Sequence, residues 1–148
     1  MTLRVDTISS WSEPVTLRGL DEDECALSGL TGTEAVAMSV RNSTCAYVVM
    51  VNETPLAWFG FRAAPVSAVA DVWMLTAPIA DEWPLMVARG SQRVITGILG
   101  IAPCLVAIVD PRHAPARKWL RWLGFQESPH GDKLLALTLH KKDWRWAS

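Results

Sequence analysis

The chain has 148 residues, of which 50% are hydrophobic and 20% charged, and its formal net charge is −1. The high apolar content and small net charge exclude intrinsic disorder, and the charge balance excludes a uniformly basic nucleic-acid-binding protein. A globular chain of this length buries roughly 70% of the surface that its unfolded form exposes. We therefore expect one domain, residues 1–148, that needs neither disulfides nor a structural metal.

Cysteine usage and hydropathy bear on the compartment. The three cysteines, Cys25, Cys45 and Cys104, have no C-x-x-C spacing, and their odd number is typical of a reducing compartment. No window of about 18 apolar residues indicates a membrane span, and the first residues lack the apolar segment of a secretory signal. We expect a cytoplasmic protein with no membrane partner. The three histidines lack ligand spacing, so no metal site is predicted.

The first half of the chain predicts a short strand, two short helices and a β-hairpin. Four consecutive carboxylates at residues 21–24 and Gly29 favour a short helix, and Thr33 is a possible N-cap of a second one. A β-branched apolar run, turn residues and an aromatic-rich run then predict the hairpin. The predicted elements are a strand at 2–5, helices at 21–30 and 33–40, and strands at 46–51 and 56–61.

The second half predicts strands that alternate with helices. The run of residues 104–109 is apolar on both faces, which is typical of a central strand. Gly100 and Gly124 are expected to end the two helices. The predicted elements are a turn at Ala64-Pro65, a strand at 69–76, a helix at 81–99, a strand at 104–109, a helix at 114–123, and strands at 125–127 and 133–140. This order implies a mixed α/β sheet of about six to seven strands with helices on both faces.

The order of elements, together with Asp110 and the segment of residues 116–125, resembles the GNAT (Gcn5-related N-acetyltransferase) superfamily. The matching family element is a strand that ends in an acidic or amide residue, followed by a helix that is closed by Gly-Phe. The likeness covers about residues 44–140 by the order of elements and is sharp only over residues 104–125. The strand at residues 72–76 and the Gly-terminated helix further resemble small, diverged GNAT-like proteins of tailed phages, including an internal virion protein of T7-like podoviruses.

The resemblance implies an acetyl-CoA site between the strands at 69–76 and 104–109. In the family, the fourth strand splays from the fifth and its backbone pairs with the pantetheine arm, which assigns Met74, Leu75 and Thr76 to that arm. His113 takes the place of an Asn that often contacts the arm, and Arg117 is a candidate partner for a CoA phosphate. The alternatives are a local hydrogen bond for His113 and a solvated helix face for Arg117.

Two signatures of the family are missing. Most members have a Gln/Arg-x-x-Gly-x-Gly/Ala loop that surrounds the pyrophosphate, but residues 77–84 contain no glycine. Asp81 and Glu82 stand at the expected helix start, where carboxylates complement the helix dipole and repel a pyrophosphate. The frequent general-acid Tyr is replaced by Leu120. The catalytic residues are therefore unknown, and Cys104 and Asp71 are better explained as an inert thiol and a surface carboxylate.

Two functions remain open at this stage. The first is an acetyl-CoA-dependent N-acyltransferase with an unknown amine acceptor. The second is a catalytically inactive GNAT-like protein-binding module, a phage virion component or a binder of a host target, with exposed Trp11, Trp144 and Trp146 as interface anchors. The basic and Trp-containing residues 111–148 suit single-stranded nucleic acid, but the net charge and the absence of a recognition motif argue against that partner.

Overall fold

The computed structural model of the chain describes residues 2–63 and 68–146. It contains seven strands, four α-helices and two short 3₁₀ helices, at Pro78–Glu82 and Lys141–Asp143. The strands are β1 (Leu3–Ile8), β2 (Cys45–Val51), β3 (Thr54–Ala63), β4 (Val69–Thr76), β5 (Cys104–Val109), β6 (Gln126–His130) and β7 (Leu134–His140). The α-helices are α1 (Gly19–Ala26), α2 (Gly32–Asn42), α3 (Pro84–Leu99) and α4 (Ala114–Leu123). The turn predicted at residues 64–65 lies outside the described residues.

The strands form one mixed sheet in the order β1-β2-β3-β4-β5-β7-β6. β4 and β5 run parallel, whereas β1 with β2, β2 with β3, β5 with β7 and β6 with β7 run antiparallel. The predicted mixed α/β class and strand number are confirmed. The chain also divides into two compact units, one comprising Met1–Arg62 with Trp73–Trp83 and the other comprising Ala63–Val72 with Pro84–Ser148, so that β4 contributes to both.

In the first unit, α1, α2 and one face of the β-hairpin share an apolar core. Ala46, Val48 and Trp58 are buried in this core, together with Val36 of α2.

The helix boundaries differ from the predicted ones because the caps differ. Thr31, and not the predicted Thr33, caps α2, since its hydroxyl accepts the backbone N–H of Glu34 while the Glu34 carboxylate accepts the N–H of Thr31.

The predicted positions of the other elements agree closely with the structure in places and differ in others. The strands at 69–76 and 104–109 and the helix at 114–123 have the predicted bounds. Gly124 ends α4 with φ of 108°, a left-handed conformation that glycine adopts without strain. The first strand extends to Ile8, and α1 begins at Gly19 with no side-chain cap. The long helix begins at Pro84 rather than at residue 81.

Candidate functional site

β5 is paired along its whole length on one edge and only in part on the other. All six of its residues pair with β7, from Cys104 opposite His140 to Val109 opposite Leu135. Pairing with β4 covers only three positions, at Val69, Ala70 and Asp71. Within the described chain, the edge of β5 over residues 107–109 therefore has no strand partner, and its outward N–H and C=O groups can bind an extended ligand.

The start of α3 carries no carboxylate. Pro84 is the first residue of the helix, which suits a residue without a backbone N–H, and the first turn contains no acidic side chain. Leu85 in that turn is 73% exposed. The N–H groups of a first helical turn have no intrahelical partner and favour an anion, as does the helix dipole.

The expectation that Asp81 and Glu82 occupy this helix start was wrong. Both lie in the 3₁₀ helix that precedes α3, where the Asp81 carboxylate accepts a hydrogen bond from the Arg18 guanidinium at 3.2 Å. Trp83 breaks the helical path with φ of −131° and ψ of 49°, so α3 begins afresh at the following proline. The local charge at the helix start is therefore less negative than the sequence indicated.

In the first unit, a buried carboxylate binds the last residue of β4. Asp21, only 3% exposed, accepts hydrogen bonds from the Thr76 N–H at 3.1 Å and from the Thr76 hydroxyl at 2.6 Å. The Thr76 carbonyl in turn accepts the backbone N–H of Arg18 at 2.9 Å, and the Arg18 side chain donates to Asp21 at 3.2 Å. Sequence reasoning treated Asp21 only as part of an acidic run and missed this contact.

These bonds oppose the predicted role of Thr76. Its backbone N–H is taken by Asp21 and its carbonyl already accepts one hydrogen bond, so its backbone is not free for a pantetheine arm in this conformation. Leu75 is buried in the core of the first unit, and Met74 is half-buried. The contacts with the pantetheine arm that are expected of Met74, Leu75 and Thr76 stay predictions.

In the second unit, His113 and Arg117 have structural partners. His113 is buried, and its Nδ1 accepts the backbone N–H of Ala116 at 3.2 Å, so the ring caps α4. Arg117 donates to both oxygens of Glu127, at 3.0 and 2.9 Å, and to the Pro111 carbonyl at 2.8 Å. This geometry corresponds to the local hydrogen bond foreseen for His113, and it makes Arg117 a link between α4 and β6. Their contacts with CoA stay predictions.

The two carboxylates near β5 and α4 are stabilised in their ionised forms. Hydrogen bonds from Arg112 hold the pKa of the buried Asp110 carboxyl below its ordinary value. The Arg117 guanidinium lowers the pKa of Glu127 in the same way. Leu120, which the resemblance places where a general-acid Tyr was expected, is buried and has no proton to donate.

None of the three tryptophans expected to be exposed is fully exposed. Trp11 is half-buried and packs edge-to-face against Trp58, with 5.5 Å between ring centroids. Trp144 is buried, and its indole N–H donates to Thr96 at 3.0 Å. Trp146 is half-buried beside Trp144, so the expected exposure was wrong for all three.

Two searches of the described chain, residues 2–63 and 68–146, bear on other classes of site. No group of three or more His, Cys, Asp or Glu side chains in this part is placed to hold a metal ion. No helix in it is long and apolar enough to cross a membrane. The expected cytoplasmic location stays a prediction.

Comparison with known proteins connects this geometry to a fold. No protein-family model matches the sequence, and no curated protein is similar to it. Solved structures are similar in fold. The GNAT domain of S. lividans PAT matches with a TM-score of 0.66 at 13% identity, over 84% of this chain and 79% of that one. The chain has the fold of the GNAT acetyltransferases.

Two further structures with the GNAT fold extend the comparison. A GNAT-family protein from Desulfovibrio desulfuricans matches over 95% of this chain and 99% of its own, with a TM-score of 0.61 and 14% identity. The N-acetyltransferase PseH of Campylobacter jejuni, solved in complex with acetyl coenzyme A, matches with a TM-score of 0.54 at 10% identity, over 72% of this chain and 76% of that one. The predicted GNAT fold is confirmed. The narrower resemblance to phage proteins stays a prediction.

Proposed function

We propose that the chain binds an acyl-CoA, acetyl-CoA in the first instance, and transfers the acyl group to an amine. The observation that carries this proposal is the unpaired edge of β5 over residues 107–109, in a fold shared with N-acetyltransferases. The pantetheine arm of CoA carries two amides along an extended chain, and its hydrogen-bonding pattern suits an open strand edge.

The start of α3 is the proposed site of the pyrophosphate. Its first turn presents unpaired N–H groups and has no carboxylate to repel a diphosphate. No glycine loop surrounds the position, so we expect fewer backbone contacts to the phosphates than such a loop supplies. We expect a correspondingly weaker affinity for acyl-CoA.

The transfer step needs little from the chain beyond positioning. The amine nitrogen attacks the thioester carbon, the C–N bond forms, the C–S bond breaks, and the CoA sulfur leaves as a thiolate while the nitrogen loses a proton to water. A positioned general acid contributes about 10²- to 10⁴-fold to such a step. Because Leu120 cannot donate a proton, we expect turnover that is slow by about that factor.

Two substitutions of the exposed Leu85 test the binding proposal by calorimetric titration with acetyl-CoA. Leu85→Asp places a carboxylate in the first turn of α3, where it complements the helix dipole and therefore leaves the fold intact, but repels a diphosphate. Leu85→Asn is the matched neutral control. We expect Leu85→Asp to weaken binding at least tenfold relative to Leu85→Asn. Equal affinities would contradict the placement of the pyrophosphate, and no binding by the parent chain at about 1 mM ligand would contradict the proposal itself.

One observation favours a second function, a protein-binding module without catalysis. The hydrogen bonds of Thr76 to Asp21 and Arg18 occupy the strand end that the family uses for the pantetheine arm. If acetyl-CoA does not bind and an assay across small amines and peptide N-termini stays at background, this second function is the better account. Acetyl-CoA binding with measurable turnover would exclude it.

A further inference from the structure

β1 is an edge strand of the sheet that lacks two of the usual protections against pairing, a proline and a bulge. It lies first in the strand order, and its six residues pair with β2 without interruption, from Leu3 opposite Val51 to Ile8 opposite Ala46. Edge strands are commonly protected by proline, by bulges or by charge. The opposite edge strand, β6, contains Pro129, whereas β1 contains no proline and its ladder has no bulge.

One face of β1 is apolar and accessible. Leu3 is 45% exposed and Val5 is 54% exposed, and Thr7 follows on the same face. The neighbouring residues of β2 on this face include Val49, opposite Val5. Among the residues that the structure describes, no strand pairs with the outer edge of β1, and an apolar strip at such an edge is a surface on which another strand can add.

The other face of β1 carries two opposite charges. Arg4 and Asp6 stand two residues apart, and the Arg4 guanidinium donates to the carboxylates of Asp6 and Glu53 in the same chain. All three side chains remain substantially exposed, with Arg4 at 44% and Asp6 at 40%. They are therefore accessible to an approaching strand.

These charges select one pairing partner and one register. We propose that β1 is the surface through which two copies of this chain associate, antiparallel about a two-fold axis at Val5. In that register Val5 faces Val5 of the second copy, each Arg4 faces an Asp6, and Leu3 faces Thr7. Antiparallel pairing about a two-fold axis keeps each side chain on the same face of the sheet. The nearest alternative registers therefore centre on Arg4 or on Asp6. Either one places like charges directly opposite each other, which is destabilising.

The association adds one strand pair and buries a small area, so we expect it to be weak and concentration-dependent. Interfaces below about 1,200 Å² are typical of transient complexes. Sedimentation equilibrium of the full chain from about 10 μM to about 1 mM should therefore show a rise from the mass of one chain towards that of two. A constant monomer mass over this range would overturn the proposal. The same result is expected if the edge pairs with a strand of a different protein.

Cross-linking tests the register. Residues directly opposite each other in an antiparallel pair have Cα atoms about 4.5 to 5.5 Å apart, within the range for a disulfide. Val5→Cys should therefore form a disulfide-linked dimer on mild oxidation. Leu3→Cys and Thr7→Cys should not do so alone, because each is about 14 Å from its own copy, but a mixture of the two should. Cross-linking of Leu3→Cys alone, as efficient as that of Val5→Cys, would overturn the register.

Charge exchange separates the proposal from a general loss of folding. Arg4→Asp faces Asp6 of the other copy and should weaken association at least tenfold, and the double variant Arg4→Asp with Asp6→Arg should restore it. Glu53→Gln removes a same-chain partner of Arg4 and should leave association unchanged. Circular dichroism confirms that each variant is folded. A dimer that persists in Arg4→Asp would show that the copies meet at another surface and would overturn the proposal.

Discussion

Removal of the Asp21 carboxylate should destabilise the first unit more than removal of any neighbouring acid. Asp21→Ala deletes the acceptor of two hydrogen bonds from Thr76 and one from Arg18. Thr76 is only 2% exposed, so its N–H is left without a partner and away from water. The Arg18 guanidinium keeps its bond to Asp81, so the cost falls mainly on Thr76.

The magnitude follows from these contacts. A hydrogen bond to a charged group contributes about 1.5–3 kcal/mol, and removing one member of a buried ionic group costs about 3–5 kcal/mol. We expect a loss of about 3–5 kcal/mol in the free energy of unfolding for Asp21→Ala. Asp21→Asn keeps an acceptor oxygen and removes the cost of burying a charge. Its loss in the free energy of unfolding should therefore be about 1–2 kcal/mol.

Urea unfolding monitored by tryptophan fluorescence measures these losses. With a slope of about 2 kcal/mol/M, the midpoint should fall by about 2 M for Asp21→Ala. Asp23→Ala is the matched control, because Asp23 lies exposed on the same helix and should change stability by at most about 0.5 kcal/mol. A double-mutant cycle with Thr76→Val should give a coupling of about 0.5–3 kcal/mol. Equal losses for Asp21→Ala and Asp23→Ala would refute the reasoning.

Three further predictions concern glycine, pH and thiol reactivity. A Cβ at Gly60 would stand 2.6 Å from the carbonyl oxygen of Cys45, so Gly60→Ala should cost about 1–3 kcal/mol in thermal or urea unfolding, whereas Gly90→Ala, in open helix surface, should gain about 0.5–1 kcal/mol. Because the pKa of Glu127 is lowered in the folded state, its ion pair stabilises the fold at pH values above the ordinary glutamate pKa, and this stabilisation is lost as the pH falls through the folded-state pKa. The difference in unfolding free energy between the parent and Glu127→Gln should therefore shrink from about pH 7 to about pH 3. A constant difference would contradict this. Burial raises the pKa of the Cys25 thiol to about 11, so at about pH 8 it should react with a thiol reagent far more slowly than the other two cysteines until the chain is unfolded.

The elements predicted with accurate bounds are those flanked by residues that cannot continue them. Asp110-Pro111 ends β5, and Gly124 ends α4 because its positive φ satisfies the last carbonyls of the helix. The early helices were less accurate because several residues there can act as caps. Thr31 and Thr33 are equivalent by residue type, and only the reciprocal bond with Glu34 decides in favour of the first.

The sequence contains a signal for the role of Asp21, but the run of acidic residues around it makes that signal difficult to recognise. Asp21 and Cys25 are four residues apart and therefore share one face of α1, and both are buried. A buried carboxylate on that face needs hydrogen-bond donors, whereas the exposed Asp23 of the same acidic run does not. The pattern thus separates Asp21 from the run. It cannot name the donors, because Thr76 is 55 residues away in the chain and is brought close only by the fold.

The position of one helix boundary changes the functional inference. If α3 began at residue 81, two carboxylates would stand in its first turn, and each would repel a phosphate at the place where the helix dipole attracts it. A start at Pro84 moves Asp81 into a bond with Arg18 and leaves the first turn without negative charge. The helix dipole is effective only within that first turn. A shift of the helix start by three residues therefore changes the expected interaction between the helix start and a phosphate from repulsion to attraction. The comparison of Leu85→Asp with Leu85→Asn tests this sign directly, because the first variant reintroduces the charge that the boundary removes.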